Sequence, residues 1–235
     1  MQQGLTKHLH QSPDLAELAE AEAAYFRLSN DFKKASLYAV HLVVKKNPTP
    51  LNLYNLYGDD GDKYVLGGIL IRRAKDWTIC GQPFTEGSRM QTTMIGPGGD
   101  SGTNLTEISG KIAALDVRNL AAMRNRVARL VVPLACLVDY YGIKFECQSL
   151  APLSINSLVY GSNTNGLTFT NKDEHAEAMA QQIAQLLNLK THHIEEQATL
   201  KLKQTYLPYT VQLHRNKDLQ DDLNLYLVNP FRLFP

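Results

Sequence analysis

Cysteine, tryptophan and surplus charge are all scarce in this chain, and each scarcity closes off a class of function. The three cysteines, Cys80, Cys136 and Cys147, are odd in number, widely spaced and set in apolar or strand-like contexts. That pattern fits reduced core thiols in a reducing compartment rather than a disulfide frame, and no paired CxxC spacing exists to hold zinc. Lys and Arg number 24 against 23 Asp and Glu, a net charge of +1. Overall charge therefore gives no pull on a nucleic-acid backbone, which is held by clustered basic residues. No apolar run approaches the roughly 18 residues needed to span a bilayer. Residues 130–138 come nearest, but Pro133 interrupts them and Asp139 ends them. The opening MQQGLTKHLHQSPDL has neither an apolar core for secretion nor an arginine for an organellar presequence, so no address is legible there.

What is present is enough for a core: 235 residues, 44% hydrophobic and 20% charged, suit one large domain or two small ones. Ser12, Pro13, Asp14 and Glu17 form a helix start, predicting a helix to about Leu28. Residues 31–46 begin as a helix and turn β-branched toward Val44, leaving their type open. Residues 47–62, with two prolines and two glycines, read as a long connection. A strand over residues 64–71 leads toward another over 77–80. GPGGDSGT at residues 96–103 is glycine-rich enough for a phosphate cradle, yet it lacks the Lys-Ser or Lys-Thr pair of a Walker A loop. It reads as an exposed or partner-ordered loop, with anion binding at the start of the next helix as the alternative.

A short helix is predicted over residues 105–115. A clearer one follows over residues 117–131, where Leu120, Met123, Val127, Leu130 and Val131 fall on one stripe. Arg118, Arg126 and Arg129 lie off that stripe and form a candidate partner surface, set against the plainer reading of a solvated charged face. From Leu134 the pattern turns to strands. Residues 134–139 and 143–150 form one hairpin, and residues 158–160 and 167–170 another. A helix opened by Asp173 and Glu174 buries Ala176, Met179, Ala180, Ile183, Leu186 and Leu187 and ends near Asn188. Two further strand segments lie within residues 209–214 and 223–228. The whole reads as an α+β fold of mainly antiparallel strands with interleaved helices in a single compact domain. Its organisation divides into residues 1–104, a helical segment with a strand pair and irregular loops, and residues 105–235, the more regular region.

Four segments in fixed order carry a resemblance. PLACLVDYYGIKFECQSLAPL contains Asp139 and Gly142; SLVYGSNTNGLTF contains Tyr160, Gly161 and Ser162. LLNLKTHH contains Lys190 and His192, and LYLVNPFRLFP contains Asn229 and Arg232. This succession resembles the CLU domain of the clustered-mitochondria family, whose pattern runs PLxxLVDYRGxRxxAQSxLP, TxVYGSxDGGxTV, LNLKxH and YxLDxxRxFPP. The resemblance is strongest from Pro133 onward and faint before Leu105. It implies proteins linked to mitochondrial distribution and to messenger RNAs for mitochondrial proteins. No ubiquitin-like or tetratricopeptide segment is evident, so the chain reads as an isolated or trimmed domain.

Three departures each remove a charge from the pattern. Tyr141 stands where the family has arginine, Asn163 where an acidic residue is usual, and Asn229 where it has aspartate. An amide at Asn229 cannot hold Mg²⁺ against phosphates, and neither HRDxxxxN nor a VAIK-like lysine motif appears, so kinase-like chemistry is disfavoured. His192 and His193 lie beside Glu195 and Glu196 without HExxH spacing, and adjacent residues on an extended segment face opposite ways. Ser162 lacks the GxSxG context of a nucleophile. The sequence thus predicts no catalytic, metal or cofactor site. The expected function is a non-catalytic accessory or scaffold module, partnered by other proteins at the mitochondrion or in mitochondria-associated cytosol. The alternative is an RNA-binding domain using Arg118, Arg124, Arg126 and Arg129.

Overall fold

Alanine-rich sequence without a single glycine or proline carries the first helix, α1, from Leu15 to Lys46. The β-branched residues near its end cost only a few tenths of a kcal/mol each. Ala39, Val40 and Val43 are buried there, and burial outweighs propensity. The computed structural model describes residues 15–46, 48–51, 63–74, 105–124, 126–151, 153–163, 168–196, 201–208, 211–216, 223–230 and 233. The helix start at Ser12, the strand over residues 77–80, the glycine-rich loop at 96–103 and Arg232 lie outside them. Among the described residues are three helices and two main sheets, a mostly antiparallel α+β arrangement. They divide into two compact units, each made of separate stretches of chain.

One unit comprises Lys34–Val117 and Ala135–Gln148. Its four-stranded sheet has the order β1-β2-β5-β4, with β1 at Lys63–Leu66, β2 at Ile69–Arg73, β4 at Ala135–Tyr140 and β5 at Ile143–Ser149. A strand had been expected over residues 64–71. Instead Gly67 and Gly68 take φ of 57° and 76° and turn the chain into a tight hairpin, the conformation in which glycine has no steric cost. Alternation along β5 sends Cys147 to one face, where Ser36 of α1 meets it, and Glu146 to the other. There Arg72 of β2 bridges Glu146 at 2.5 Å and Asp116 of helix α2 (Leu105–Arg124) at 3.6 Å. Gln148 adds a hydrogen bond to Glu146 at 2.8 Å. This buried ionic layer ties helix to sheet; removing one partner from such a layer costs about 3–5 kcal/mol.

Helix α2 replaces the two expected helices. It runs through residue 116 and stops at Arg124, where Arg126 and Val127 amides both reach the Met123 carbonyl. Arg129 then takes a left-handed φ of 60°. Val127, Leu130 and Val131 are buried as their stripe foretold, but beyond the helix; Leu130–Val131 is strand β3.

The other unit comprises Met1–Lys33, Arg118–Leu134 and Ser149–Pro235. Its five-stranded sheet has the order β3-β11-β10-β6-β7, with β6 at Leu158–Gly161, β7 at Thr170–Asn171, β10 at Gln212–Arg215 and β11 at Leu225–Val228. The β3–β11 pair is parallel, and the other pairings are antiparallel. Helix α3, Glu174–Leu186, packs against β6 and β7. Asp173 caps it by accepting from the Ala176 amide at 2.8 Å and also pairs with Arg215 at 2.7 Å. A separate hairpin of β8 (His192–Glu196) and β9 (Lys201–Thr205) follows; the sequence reading took His192 and His193 as extended but placed no hairpin here.

Candidate interaction surface

Several positions of the family-like segments serve backbone turns and close strand approaches. Asp139 Oδ1 accepts from the Gly142 amide at 3.0 Å and Oδ2 from Lys144 Nζ at 3.0 Å. The Lys144 ammonium and then the Gly142 amide hold its carboxyl below the ordinary 3.8. Between them, Tyr141 and Gly142 have φ of 52° and 80°, which closes the β4–β5 hairpin by a two-residue turn of the primed type. Tyr160 is buried against Phe169, edge to face at 5.1 Å, and its hydroxyl accepts from the Tyr206 amide at 3.0 Å. Burial pushes that phenol's pKa up. Gly161 has φ of 113°, and a Cβ there would lie 2.6 Å from the Val211 carbonyl oxygen, so only glycine lets β6 approach β10. The Ser162 carbonyl accepts from Gln212 Nε2 at 2.5 Å.

The LNLK segment ends α3. Leu189 N–H reaches the Ala184 carbonyl and Asn188 N–H the Gln185 carbonyl, while Asn188 takes φ of 53°. This is the paired hydrogen bonding of a Schellman stop. Lys190 is exposed and His192 opens β8. Asn229, where the pattern has aspartate, lies exposed at φ of 51° just past β11. Asn and Asp are the non-glycine residues that best tolerate this region, so a conformational demand common to both accounts for the exchange.

The arginines of the expected partner surface are not on one helix face. Arg118 is exposed on α2, whereas Arg126 and Arg129 lie in the turn beyond it. Arg124 pairs with Glu22 at 3.3 Å and covers the Tyr25 ring at 3.3 Å. Elsewhere in this unit, His214 Nε2 lies 3.0 Å from Gln212 Oε1 and its Nδ1 lies 2.8 Å from the Ser157 hydroxyl. Ser157 is buried, and its hydroxyl donates to the Ser154 carbonyl at 2.5 Å, pinning the turn before β6. A cleft of about 460 Å³ at the end of α3 is lined by Gln181, Gln185, Asn188, Thr191 and Tyr206. Together with Ala184 and Leu189, its described lining offers amides and hydroxyls. Among the described residues, no group of three or more His, Cys, Asp or Glu could hold a metal ion, and no helix is long and apolar enough to cross a membrane.

The four-stranded unit exposes a surface that the sequence reading missed. Tyr141, at the hairpin tip, is 90% exposed in a left-handed conformation that costs a bulky residue roughly 1–2 kcal/mol. Its ring meets Tyr140 edge to face at 4.8 Å. The Tyr140 hydroxyl in turn shares a hydrogen bond with His41 Nδ1 at 2.5 Å. At about 100° per residue, Lys34, Leu37, Tyr38, Val44 and Lys45 lie within about 60° of His41 around α1. Leu37, Tyr38 and Val44 are 50%, 66% and 41% exposed. Exposed aromatic and aliphatic side chains thus lie on α1 to either side of His41, which the hairpin tip meets through Tyr140. The sequence signal was present in Tyr140-Tyr141-Gly142 and Leu37-Tyr38, but apolar residues next to a turn or on a helix read as core.

With this geometry in place, the comparisons define the class. A family model described as CLU, Clustered mitochondria, matches residues 5–235. The chain belongs to the CLU family, which associates it in coarse terms with mitochondria and their distribution. The match reaches well before Leu105, where the residue-level resemblance was faint. No curated protein and no solved structure matched the chain.

Proposed function

We propose that this chain is a non-catalytic interaction module, an accessory or scaffold subunit of a mitochondria-linked protein assembly. The observation that carries the reading is Tyr141. A large aromatic ring is held almost wholly in solvent, on a backbone conformation unfavourable to it, at a position where the family pattern has arginine. Exposed aromatics on a fixed support are the typical anchors of protein interfaces. Asp139, Gly142, Gly161 and Asn229, which stand at family-pattern positions, meet local backbone demands, whereas the exposed Tyr141 ring meets none.

The test is native purification of the tagged chain from its source, with and without RNase, comparing wild type with Tyr141→Gly by size analysis and mass spectrometry. RNase-resistant complexes of mitochondrial proteins that Tyr141→Gly disperses are expected. A wild-type chain that elutes as a free monomer, or complexes that RNase dissolves and Tyr141→Gly leaves intact, would overturn the reading; the latter would favour RNA binding.

A further inference from the structure

The interaction reading makes no use of the two thiols at the root of the β4–β5 hairpin. Cys136 and Cys147 are direct partners in the ladder, both free and both buried. Two residues further from the turn, the Ser149 amide donates to the Leu134 carbonyl at 2.9 Å, and hydrogen-bonded pairs recur every second residue of an antiparallel ladder. Cys136 and Cys147 therefore form such a pair, with Cα atoms about 5.5 Å apart, inside the span of about 4.4–6.8 Å that a disulfide bridges. Their side chains leave the sheet on one face, where the two thiols share a hydrogen bond. Ser36, fully buried on α1, turns its hydroxyl toward the Cys147 sulfur and has no oxygen or nitrogen partner.

We propose that Cys136 and Cys147 are a peroxide-responsive pair that closes to a reversible disulfide within the folded chain, with Ser36 as its positioning residue. Cys136 is 6% exposed and Cys147 0%, so peroxide meets Cys136 first. The Cys136 sulfur attacks one oxygen of hydrogen peroxide, the O–O bond breaks, water leaves and a sulfenic acid remains. The Cys147 sulfur then attacks the Cys136 sulfur while the Ser36 hydroxyl donates to it, and the sulfenic hydroxyl departs with the Cys147 proton as a second water. Two thiols and one peroxide thus give one disulfide and two waters, with two electrons passing from sulfur to oxygen. A metal ion suits the place less well. It would need both thiols ionised, whereas the Cys136 thiol and burial push the Cys147 pKa up, and a disulfide leaves no charge in the core. Strand pairing holds opposed Cβ atoms about 4.5–5.5 Å apart, beyond the roughly 3.8 Å of a relaxed disulfide. Closure therefore strains the hairpin, and strained disulfides are the readily reduced, regulatory kind. That matches thiols kept reduced at rest and linked only when peroxide rises.

The test treats the full chain, reduced and then freed of reductant, with hydrogen peroxide, and maps its peptides after alkylating the remaining thiols. Peroxide is little larger than water and reaches sulfur that bulkier labels do not. A Cys136–Cys147 link that reduced glutathione reverses, formed with the circular dichroism spectrum unchanged, is expected in the wild type and in Cys80→Ser. Cys147→Ala should leave Cys136 as a sulfenic acid that a dione reagent traps. Ser36→Ala should slow closure about fivefold, the scale of one hydrogen bond, with no fall in melting temperature. The proposal is overturned if both thiols survive peroxide that links them in urea, if the link forms only as the native spectrum is lost, or if Cys80 or a second chain replaces either partner. An unchanged closure rate in Ser36→Ala overturns the part given to the serine.

Discussion

Replacing Tyr141 with glycine or alanine separates the conformational cost of this residue from the contacts of its ring. The left-handed φ of 52° costs a non-glycine residue roughly 1–2 kcal/mol, which glycine recovers. Against that, glycine's greater freedom in the unfolded chain costs about 0.5–1 kcal/mol. The ring's edge contact with Tyr140 contributes no more than about 0.5 kcal/mol, the lower end for aromatic pairs, because one ring is almost fully solvated. Tyr141→Gly should therefore be within about 1 kcal/mol of wild type, on the stabilised side if relief dominates. Tyr141→Ala keeps the strain and loses the ring, and should fall about 0.5–1 kcal/mol below the glycine variant. Urea unfolding with matched slopes measures all three. If glycine proves less stable than alanine, the turn holds no strain of this kind. If both variants lose more than about 2 kcal/mol, the ring is structural and the argument for a contact surface collapses.

Other consequences are open to simpler measurements. Asn229→Asp should change stability by less than about 0.5 kcal/mol, whereas Asn229→Val should cost about 1–2 kcal/mol, because a β-branched side chain fits the left-handed region poorly; denaturant midpoints decide, and a large loss for aspartate would refute the conformational account. Cys136 and Cys147 face each other across β4 and β5 as buried free thiols, and the neighbouring Cys136 thiol together with burial raises the Cys147 pKa strongly. Peptide mapping after a thiol-reactive label should find both unmodified in the native chain and modified in denaturant; rapid native labelling would contradict the packing. Burial lowers the pKa of His214 below its ordinary 6.5, so the unfolded chain takes up a proton before the folded one does. Its contribution to stability is complete above 6.5, declines as pH falls through the window down to the lowered value, and is gone below it. Wild type should lose more stability than His214→Gln between pH 7.5 and 5.5, and parallel losses would exclude the mechanism.

The strand hairpins after Leu134 were legible because short range decides them: alternation sets the faces, and Asp139 with Gly142 sets the turn. Helix α3 was legible for the same reason, with Asp173 at its start and Asn188 at its stop. Helices α1 and α2 were harder. The continuity of α2 through residue 116 depends on partners far away in sequence, Arg72 bridging Asp116 and Glu146, and the end of α1 is held by burial of Ser36, Ala39, Val40 and Val43. Val127, Leu130 and Val131 show the limit of periodicity, since their spacing reported burial correctly and secondary structure incorrectly. Gly67-Gly68 was a local hairpin signal that an apolar run on either side concealed. The aromatic face was the least visible part. Hydrophobicity alone predicts burial, and the exposure of Tyr141 and Tyr38 follows from the hairpin turn and from which side of α1 meets the sheet.

The chain passes from one compact unit to the other at residues 33, 117, 134 and 148, and this bears on how its parts can be studied. Neither unit is a contiguous gene segment, so a terminal deletion that enters residues 34–148 removes pieces of both. Loss of a partner after truncation would therefore report collapse as readily as a missing contact. Surface substitutions in the intact chain, or crosslinkers placed at single side chains, are the means of dividing labour between the two, and inherited variants that shorten the protein within this span should behave as losses of the whole domain.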